Sequence, residues 1–317
     1  MKISATSTVL VLGAGGRLGR QAAQAFAARG WRVLALSRRP LQAWPALLAD
    51  RIVTVQGDAL AGTALLSQQP QLAQIDVIVH ALNPHYARWA TELPPLTEAV
   101  LALARATGAT VMLPGNVYNF GRHLPSVLRE DTPFVPDTPK AEQRIALEAA
   151  LAAAAPTVRS IVIRAGDFLA PAGEGTETWL ALGLGRRLKA GVFSPMGPPD
   201  ILHAWAWLPD LAEVFARVAE RRAALPAFSV WHYEGLSLSA EQWQQGLEAH
   251  LGQDLRTRPF AWWPLKVLAL GSPLIRALVA MRYLWERPHR LEGRRLAELL
   301  GADLPRTPLQ RVLAQAL

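Results

Sequence analysis

Glycines crowd one short stretch near the start of this chain, in the order Gly13-Ala14-Gly15-Gly16-Arg17-Leu18-Gly19. An apolar run, Thr8–Leu12, precedes the stretch, and a helical pattern follows it. Glycines permit a tight turn and a close approach of the backbone to a ligand, and a helix N-terminus offers N–H groups to an anion. In this context the spacing predicts a site for the pyrophosphate of a nucleotide, against the alternative of a merely structural turn.

Two arginines, Arg38 and Arg39, follow the second predicted strand. At this position an acidic residue binds the ribose 2′-hydroxyl of NAD, and none is present. Guanidinium groups match the oxygens of a phosphate, so the two arginines favour the 2′-phosphate of NADP over NAD. The alternative is that both are solvated loop residues.

Other strand ends carry further candidates for cofactor binding. Asp58 could accept a hydrogen bond from the adenine amino group, or serve only in a Gly-Asp turn. The small residues around Ala81 and Asn83 would let the backbone lie against the cofactor. The stretch Arg164-Ala165-Gly166 ends the sixth predicted strand, next to the expected place of a nicotinamide ring.

Two residues near strand ends could move protons. Tyr118 follows the fifth predicted strand and could donate a proton to a carbonyl oxygen, or pack beneath its loop with its hydroxyl bonded to backbone. His80 lies within an apolar strand pattern, so we predict a core histidine rather than a catalytic one.

The elements that must position these groups alternate along the first half of the chain. The predicted strands span residues 8–12, 31–36, 52–56, 76–81, 110–113 and 160–164, and the predicted helices span 18–29, 41–48, 59–68, 89–107 and 139–154. This alternation indicates the α/β class, with a doubly wound parallel sheet of the Rossmann type. We expect an NAD(P)-binding domain over residues 1–170 and a smaller C-terminal substrate lobe, partly interleaved with it, over 171–317.

The composition limits the classes of ligand that we expect this protein to bind. The chain has 317 residues, a formal net charge of +8 and no cysteine. The lack of cysteine excludes disulfides, zinc–thiolate sites and a cysteine nucleophile, and it fits a reducing compartment, so we expect a cytoplasmic protein. The basic residues form no nucleic-acid motif, and no His, Asp or Glu spacing suggests a metal site. We therefore expect an anionic cofactor or substrate rather than nucleic acid or a metal.

Residues 260–285 form an apolar segment that Pro264, Lys266 and Pro273 interrupt. A membrane-spanning helix needs about 20 mostly apolar residues, so we predict no integral membrane segment here. We predict two short amphipathic helices that cover a pocket or form a subunit contact, with peripheral membrane attachment as the alternative. Aromatic residues are frequent in the same part of the chain, and some of them, with His203, could line an apolar substrate pocket.

Four motifs follow one another in a fixed order. They are Gly13-x-x-Gly16-x-x-Gly19, Val117-Tyr118, Glu130-x-x-Pro133-x-x-Pro136 and Arg164-Ala165-Gly166. Together they resemble the extended short-chain dehydrogenase/reductase superfamily, which includes the NAD-dependent epimerase/dehydratase proteins, and the resemblance covers most of residues 8–215. It implies a cofactor, NADP or NAD, a C-terminal lobe that closes over a small-molecule substrate, and a homodimer contact through two helices.

The catalytic positions depart from those of the resembled superfamily, whose chemistry relies on Tyr-x-x-x-Lys plus a Ser or Thr. Counting from the Pro-x-x-Pro lead-in places Lys140 at the Tyr position and Arg144 at the Lys position, and Glu148 supports this register. The Ser/Thr position falls near Pro114. Arg144 cannot act as a base, and Lys140 can do so only if its pKa is lowered. Tyr118 is the nearest replacement proton donor.

Two functions are consistent with these residues. The first is an oxidoreductase of the epimerase/dehydratase type that prefers NADP and acts on a small carbonyl or hydroxyl compound through Tyr118, Lys140 and Arg144. The alternative is a non-catalytic NADP-binding sensor or scaffold, in which Lys140 and Arg144 hold an anion without proton transfer.

Overall fold

The structure, a computed structural model, describes residues 7–173, 185–188 and 190–317. Its strands are β1 (Thr8–Leu12), β2 (Arg32–Ser37), β3 (Ile52–Gln56), β4 (Val77–His80), β5 (Thr110–Gly115), β6 (Val127–Leu128), β7 (Ser160–Arg164), β8 (Asp167–Leu169), β9 (Val192–Phe193), β10 (His203–Trp207), β11 (Phe228–His232), β12 (Leu236–Leu238), β13 (Arg256–Thr257) and β14 (Arg290–Leu291). Its helices are α1 (Arg17–Ala28), α2 (Ala64–Gln68), α3 (Trp89–Thr107), α4 (Pro139–Ala153), α5 (Gly185–Leu188), α6 (Leu208–Arg221), α7 (Ala240–Leu251), α8 (Trp262–Leu268), α9 (Pro273–Ala280), α10 (Arg294–Leu300) and α11 (Leu309–Ala316).

The central layer is a seven-stranded sheet in the order β11-β7-β5-β4-β1-β2-β3. All of its strand pairs are parallel, so the carboxyl ends of the strands meet at one edge. The predicted α/β class and doubly wound parallel sheet of the Rossmann type are confirmed, and the six predicted strands lie within two residues of their observed bounds. The seventh strand, β11, was not predicted.

Two hydrophobic cores flank the sheet. On one face, α1 and α6 pack against alternate residues of the strands, with Phe26 and Phe215 fully buried between them. On the other face, α3 and α4 cover the opposite set of side chains, including Leu10 and Ile78. Both faces of the strands are therefore apolar, as buried parallel strands require. This leaves the sheet edge as the place for polar chemistry.

Two helix predictions are wrong, each for a local reason. Residues 41–48 form no α-helix, because Pro45 disfavours a helical conformation at Trp44. The Arg20 guanidinium also binds the carbonyls of Gln42 and Ala43, at 3.3 and 2.7 Å, in place of helical partners. The predicted helix 59–68 is divided into a short 3-10 turn and α2 by Gly62, whose φ is +55°.

The C-terminal part of the chain builds a third core beside the sheet edge. Parallel β8 and antiparallel β12 flank β10, and α7 packs against α11 over a cluster that includes Trp205, Trp243 and Trp285. The two predicted short helices within residues 260–285 are present as α8 and α9. Both α6 and β11 return to the main sheet, so the chain after residue 170 contributes to both parts. Within the described ranges no helix is long and apolar enough to cross a membrane.

Candidate functional site

The glycine turn joins the carboxyl end of β1 to the first turn of α1. Gly13 has a φ of +78°, which L side chains rarely adopt, and its carbonyl accepts a hydrogen bond from the Gly16 N–H at 2.9 Å. A Cβ on Gly19 would lie 2.2 Å from the Gly13 carbonyl oxygen, and a Cβ on Gly13 would lie 3.0 Å from that of Ala81. The turn therefore requires glycine at both positions.

Helix α1 begins at this turn without a side-chain cap and with no acidic residue in its first turn. The first N–H groups of a helix have no partner within the helix, and the helix dipole places positive charge there. Gly15 and Gly16 are exposed, Arg17 is half-buried and Leu18 is buried. These residues fit a pyrophosphate group, because a backbone cradle with positive potential faces the edge of the sheet.

Arg38 and Arg39 lie at the end of β2, next to the glycine turn. Both residues are exposed, and neither side chain has a hydrogen bond or ion pair with the part of the chain that the structure describes. The neighbouring Ser37 hydroxyl lies 3.5 Å from the place of a Cβ on Gly15. Two uncompensated guanidinium groups therefore stand beside the predicted pyrophosphate cradle.

Asp58, Ala81 and Asn83 follow β3 and β4 at the same edge. The exposed Asp58 accepts a hydrogen bond from the Leu60 N–H at 3.0 Å, so its carboxylate shapes the local turn. Asn83 is exposed, whereas Ala81 is half-buried against Gly13. Their roles at the cofactor stay predictions.

Lys140 lies in the first turn of α4 and is only 7% exposed. Its ammonium group donates hydrogen bonds to the Tyr86 carbonyl and to Gln143 Oε1, the latter at 3.3 Å. The nitrogen also lies 4.3 Å and 4.4 Å from the ring centres of Tyr86 and Trp89. Burial lowers the pKa of Lys140 to about 8, so this group can change its protonation near neutral pH.

Arg144, one turn further along α4, is buried. Its guanidinium donates to the Pro114 carbonyl and lies 5.7 Å from the Trp89 ring centre. Burial lowers the pKa of Arg144, and the nearby carboxylate of Glu148 opposes this effect. An arginine keeps its proton in such a setting, so Arg144 contributes positive charge and no proton transfer.

Arg164 at the end of β7 is wholly enclosed by protein. It forms an ion pair with Glu148 at 2.7 Å and donates to the Asn116 carbonyl. The rings of Phe120 and Phe134 cover its guanidinium at 5.3 and 5.2 Å. Any contact of Arg164 with a cofactor would therefore involve its backbone. Ala165 and Gly166 would likewise contact a cofactor through their backbone. No side chain fits at Gly166, because a Cβ there would lie 2.2 Å from the Ala204 carbonyl oxygen.

Tyr118 begins a short 3-10 turn after β5. Its hydroxyl interacts with that of Tyr86, and its ring stacks on Trp89 with centres 6.3 Å apart. Burial raises the pKa of Tyr118 above its ordinary value, and the negative charge of Asp167 raises it further. Tyr118 therefore holds its proton more firmly than Lys140 does.

A histidine–carboxylate pair adjoins this cluster. His203 Nε2 lies 2.9 Å from Asp167 Oδ2, and its Nδ1 lies 3.1 Å from the Leu284 carbonyl oxygen. The imidazole stacks on the Trp285 ring with a centre distance of 4.1 Å. His80, by contrast, is buried in β4, and burial lowers its pKa to about 4, as expected of a neutral core histidine.

The structure thus brings Tyr118, Lys140 and Arg144 together around Trp89. Sequence reasoning missed Tyr86 and Trp89, which enclose the Lys140 ammonium. Their only signal is a pair of aromatic residues, three apart, shortly after a strand end. No group of three metal-ligating side chains occurs in the described ranges.

Comparisons with known proteins agree with this architecture. The sequence profile of the NAD dependent epimerase/dehydratase family matches residues 9–231. This chain therefore belongs to the NAD-dependent epimerase/dehydratase family. No curated protein matches the chain.

Several solved structures share the fold. An epimerase candidate from Burkholderia cenocepacia J2315 has 19% sequence identity and a TM-score of 0.75, over 99% of this chain and 97% of that chain. UDP-glucuronic acid 4-epimerase from Bacillus cereus, in complex with UDP-glucuronic acid and NAD, has 14% identity and a TM-score of 0.73, over 98% and 97%. DesIV, a dTDP-glucose 4,6-dehydratase from Streptomyces venezuelae with NAD and TYD bound, has 18% identity and a TM-score of 0.69, over 98% and 95%.

Proposed function

We propose that this protein is an NADP-preferring oxidoreductase of its family that acts on a small carbonyl or hydroxyl compound. The observation that carries the proposal is the pair of exposed arginines, Arg38 and Arg39, beside the glycine turn. A site for NAD places a carboxylate there to hold the ribose 2′-hydroxyl, whereas two guanidinium groups complement a 2′-phosphate.

The residues that would hold NADP lie along one edge of the sheet. The turn Gly13–Gly19 would bind the pyrophosphate, Arg38 and Arg39 the 2′-phosphate, and Asp58 the adenine amino group. Backbone near Ala81, Asn83 and Arg164-Ala165-Gly166 would border the nicotinamide. When bound, the nicotinamide supplies or accepts a hydride.

Within this site Lys140 is the residue best suited to move the accompanying proton. Its pKa of about 8 lies near physiological pH, where a general acid or base is most effective. Arg144 adds a fixed positive charge one turn away, which stabilises developing negative charge. Tyr118, with its raised pKa, serves as a hydrogen-bond donor to a substrate oxygen.

The comparisons support a nicotinamide cofactor and a small-molecule substrate in general terms, since the Bacillus cereus and Streptomyces venezuelae structures contain NAD. The NADP preference is our proposal from the arginines of this chain. A cytoplasmic location, suggested by the lack of cysteine, and a homodimer through α3 and α4 stay predictions.

A second function is favoured by one observation, the enclosure of Lys140 and Arg144. Both cations already have carbonyl partners and lie against aromatic rings. If these contacts persist when the cofactor binds, the protein would act as an NADP-binding sensor or scaffold without turnover. The two functions differ in one result, because only the oxidoreductase oxidises NADPH when a carbonyl compound is added.

Cofactor preference is tested by calorimetric titration of the full chain with NADPH and NADH. We expect NADPH to bind at least about tenfold more tightly, because a paired phosphate–guanidinium contact contributes about 1.5–3 kcal/mol. The variant Arg38→Ala/Arg39→Ala should lose this preference and keep its affinity for NADH. Arg294→Ala, an exposed arginine at the start of α10, is the matched control. Equal affinity of the unaltered protein for both nucleotides would contradict the NADP preference, and binding of neither would end the proposed function.

A further inference from the structure

The C-terminal lobe contains a partly open apolar cavity with a volume of about 60 Å³. Its walls include the aromatic side chains of Phe193, Trp205, Trp243 and Trp285, together with His203. One water molecule needs about 10–15 Å³ of such space, so the cavity accommodates a group the size of one ring. We refer to it as the tryptophan cavity.

None of the described residues that line the tryptophan cavity is Arg, Lys, Asp or Glu, so these walls carry no fixed charge. The one titratable lining residue, His203, has both ring nitrogens engaged, with Asp167 and with the Leu284 carbonyl. Nearby Arg187 is exposed and donates to Ser194 Oγ at 2.7 Å. A charged group such as a diphosphate would lose its hydration here without gaining a cation, which is strongly unfavourable.

Two of the lining residues carry hydrogen-bond donors that lack a partner among the described residues. The indole N–H groups of Trp205 and Trp243 are buried, and neither has a partner in the described part of the chain. Both residues are at most 5% exposed. A buried indole N–H usually has an acceptor, and it can only donate. An oxygen with a lone pair on an uncharged molecule would supply the acceptor that these two N–H groups lack.

We propose that the tryptophan cavity binds a neutral, apolar, ring-sized group that carries one hydrogen-bond-accepting oxygen, as in an aryl ketone or an aryl ether. The Bacillus cereus relative has UDP-glucuronic acid bound, a polar and multiply charged ligand. The uncharged aromatic walls of this cavity fit the opposite chemistry.

The position of the cavity links it to the proposed active site. His203 lines the cavity and binds Asp167, whose charge in turn acts on Tyr118. An aryl group held by the tryptophans would thus lie against His203, whose partner Asp167 acts on Tyr118, one of the candidate proton donors. The inference that the bound compound is also the substrate rests on the proposed function. The inference that the compound binds in the cavity is independent of the proposed function.

The proposal is tested with three probes on the full chain: acetophenone, ethylbenzene and UDP-glucose, each followed by calorimetry and by tryptophan fluorescence. We expect saturable acetophenone binding with a Kd below about 1 mM, within reach of a ligand of this size. Ethylbenzene has a similar shape but no acceptor, so it should bind about two- to tenfold more weakly. UDP-glucose should not displace acetophenone.

Variants locate the binding. Ile201→Trp places a large side chain at the half-buried lining residue and should abolish acetophenone binding, whereas Val267→Trp, at an exposed position of α8, should not. Trp205→Phe and Trp243→Phe remove the donors, and at least one should reduce the preference for acetophenone over ethylbenzene towards unity. These two variants decide the matter if Ile201→Trp does not fold, as thermal unfolding would show.

Three results would overturn the proposal: no saturable acetophenone binding, displacement by UDP-glucose, or an unchanged preference in both phenylalanine variants. NADPH is titrated separately in the same samples. If acetophenone binds and NADPH does not, the result contradicts the proposed function and leaves the cavity assignment standing. If NADPH binds and acetophenone does not, the result contradicts the cavity assignment and leaves the proposed function standing.

Discussion

At the residue scale, Lys140 and Arg144 lie one turn apart on α4, at the positions where the resemblance predicts a tyrosine and a lysine. A lysine in water has a pKa near 10.4 and would be fully charged at neutral pH. Burial between Tyr86 and Trp89 lowers the pKa of Lys140 to about 8, which makes the neutral amine accessible. The pKa of Tyr118 shifts in the opposite direction, because burial disfavours its anionic form. On this basis we propose that the lysine, rather than Tyr118, transfers the proton.

The protonation of Lys140 can be measured directly. The chain has four lysines, Lys2, Lys140, Lys189 and Lys266, so NMR of protein labelled with 13C-lysine should resolve them. We expect one signal to titrate with a midpoint near 8 and to vanish in Lys140→Met. If Lys140 donates a proton during carbonyl reduction, NADPH oxidation should fall as pH rises through the same midpoint, because the ammonium form is lost.

The same variant tests catalysis. Removal of a general acid typically lowers turnover about 100-fold or more, so Lys140→Met should lose NADPH oxidation while retaining NADPH binding. Lys266→Met, on α8, serves as the control and should keep full activity. A midpoint above about 10 would contradict the role of Lys140 as the acid. A midpoint near 8 with no carbonyl-dependent oxidation would favour the sensor.

At the element scale, the glycine turn is the junction on which the proposed cofactor binding depends. Strand β1 and helix α1 approach so closely that no Cβ fits at Gly19. The closely packed turn also sets the direction in which α1 presents its first N–H groups. The local sequence predicted this junction correctly because all of its parts lie within about a dozen residues. The prediction of a helix over residues 41–48 failed because it depends on a residue outside the segment. There, the long-range contact of Arg20 with the Gln42 and Ala43 carbonyls prevails over the helical pattern.

Substitution Gly19→Ala should disrupt this junction. The added methyl group would lie 2.2 Å from the Gly13 carbonyl oxygen, so the turn must open. We expect a loss of about 1–3 kcal/mol in the free energy of unfolding and at least a tenfold loss in NADPH affinity. Urea unfolding and calorimetry measure the two effects. Gly271→Ala is the matched control, since nothing lies within 4 Å of its Cβ position, and it should change neither quantity. Equal behaviour of the two variants would refute the requirement for glycine.

At the scale of the whole molecule, three buried histidines connect stability to pH. Burial is the main cause that lowers the pKa of His80 to about 4 and of His232 and His289 to about 3. The unfolded chain has ordinary histidines with pKa values near 6.5. It therefore binds protons at a higher pH than the folded protein does. The stability that these neutral histidines contribute is complete above about pH 6.5 and is lost as the pH falls towards 4.

Acid should accordingly destabilise the protein before its carboxylates titrate. Each histidine contributes a slope of about 1.4 kcal/mol per pH unit, so the free energy of unfolding should fall by about 4 kcal/mol per unit below pH 6.5. Urea unfolding at pH 7, 6 and 5 measures this slope. His80→Leu, which removes a ring without hydrogen-bond partners among the described residues, should reduce the slope by about a third. The exposed control His250→Gln should leave it unchanged. A flat profile over this range would contradict the prediction.

The sequence by itself determined the class of fold and the glycine turn between β1 and α1. It also determined the placement of Lys140 and Arg144 on one face of a helix. These features depend on neighbours along the chain: apolar runs, helical spacing and glycines at a strand end. Such patterns are local, and buried parallel strands tolerate few alternatives to them.

Only the tertiary structure decided what surrounds those residues. Lys140 meets the Tyr86 carbonyl across 54 residues, and Asp167 meets His203 across 36. The strand β11 reaches the main sheet from within the C-terminal half, and the tryptophan cavity forms where separate aromatic residues converge. Such contacts depend on how elements pack against one another. The burial that results then shifts pKa values away from those typical of each residue type.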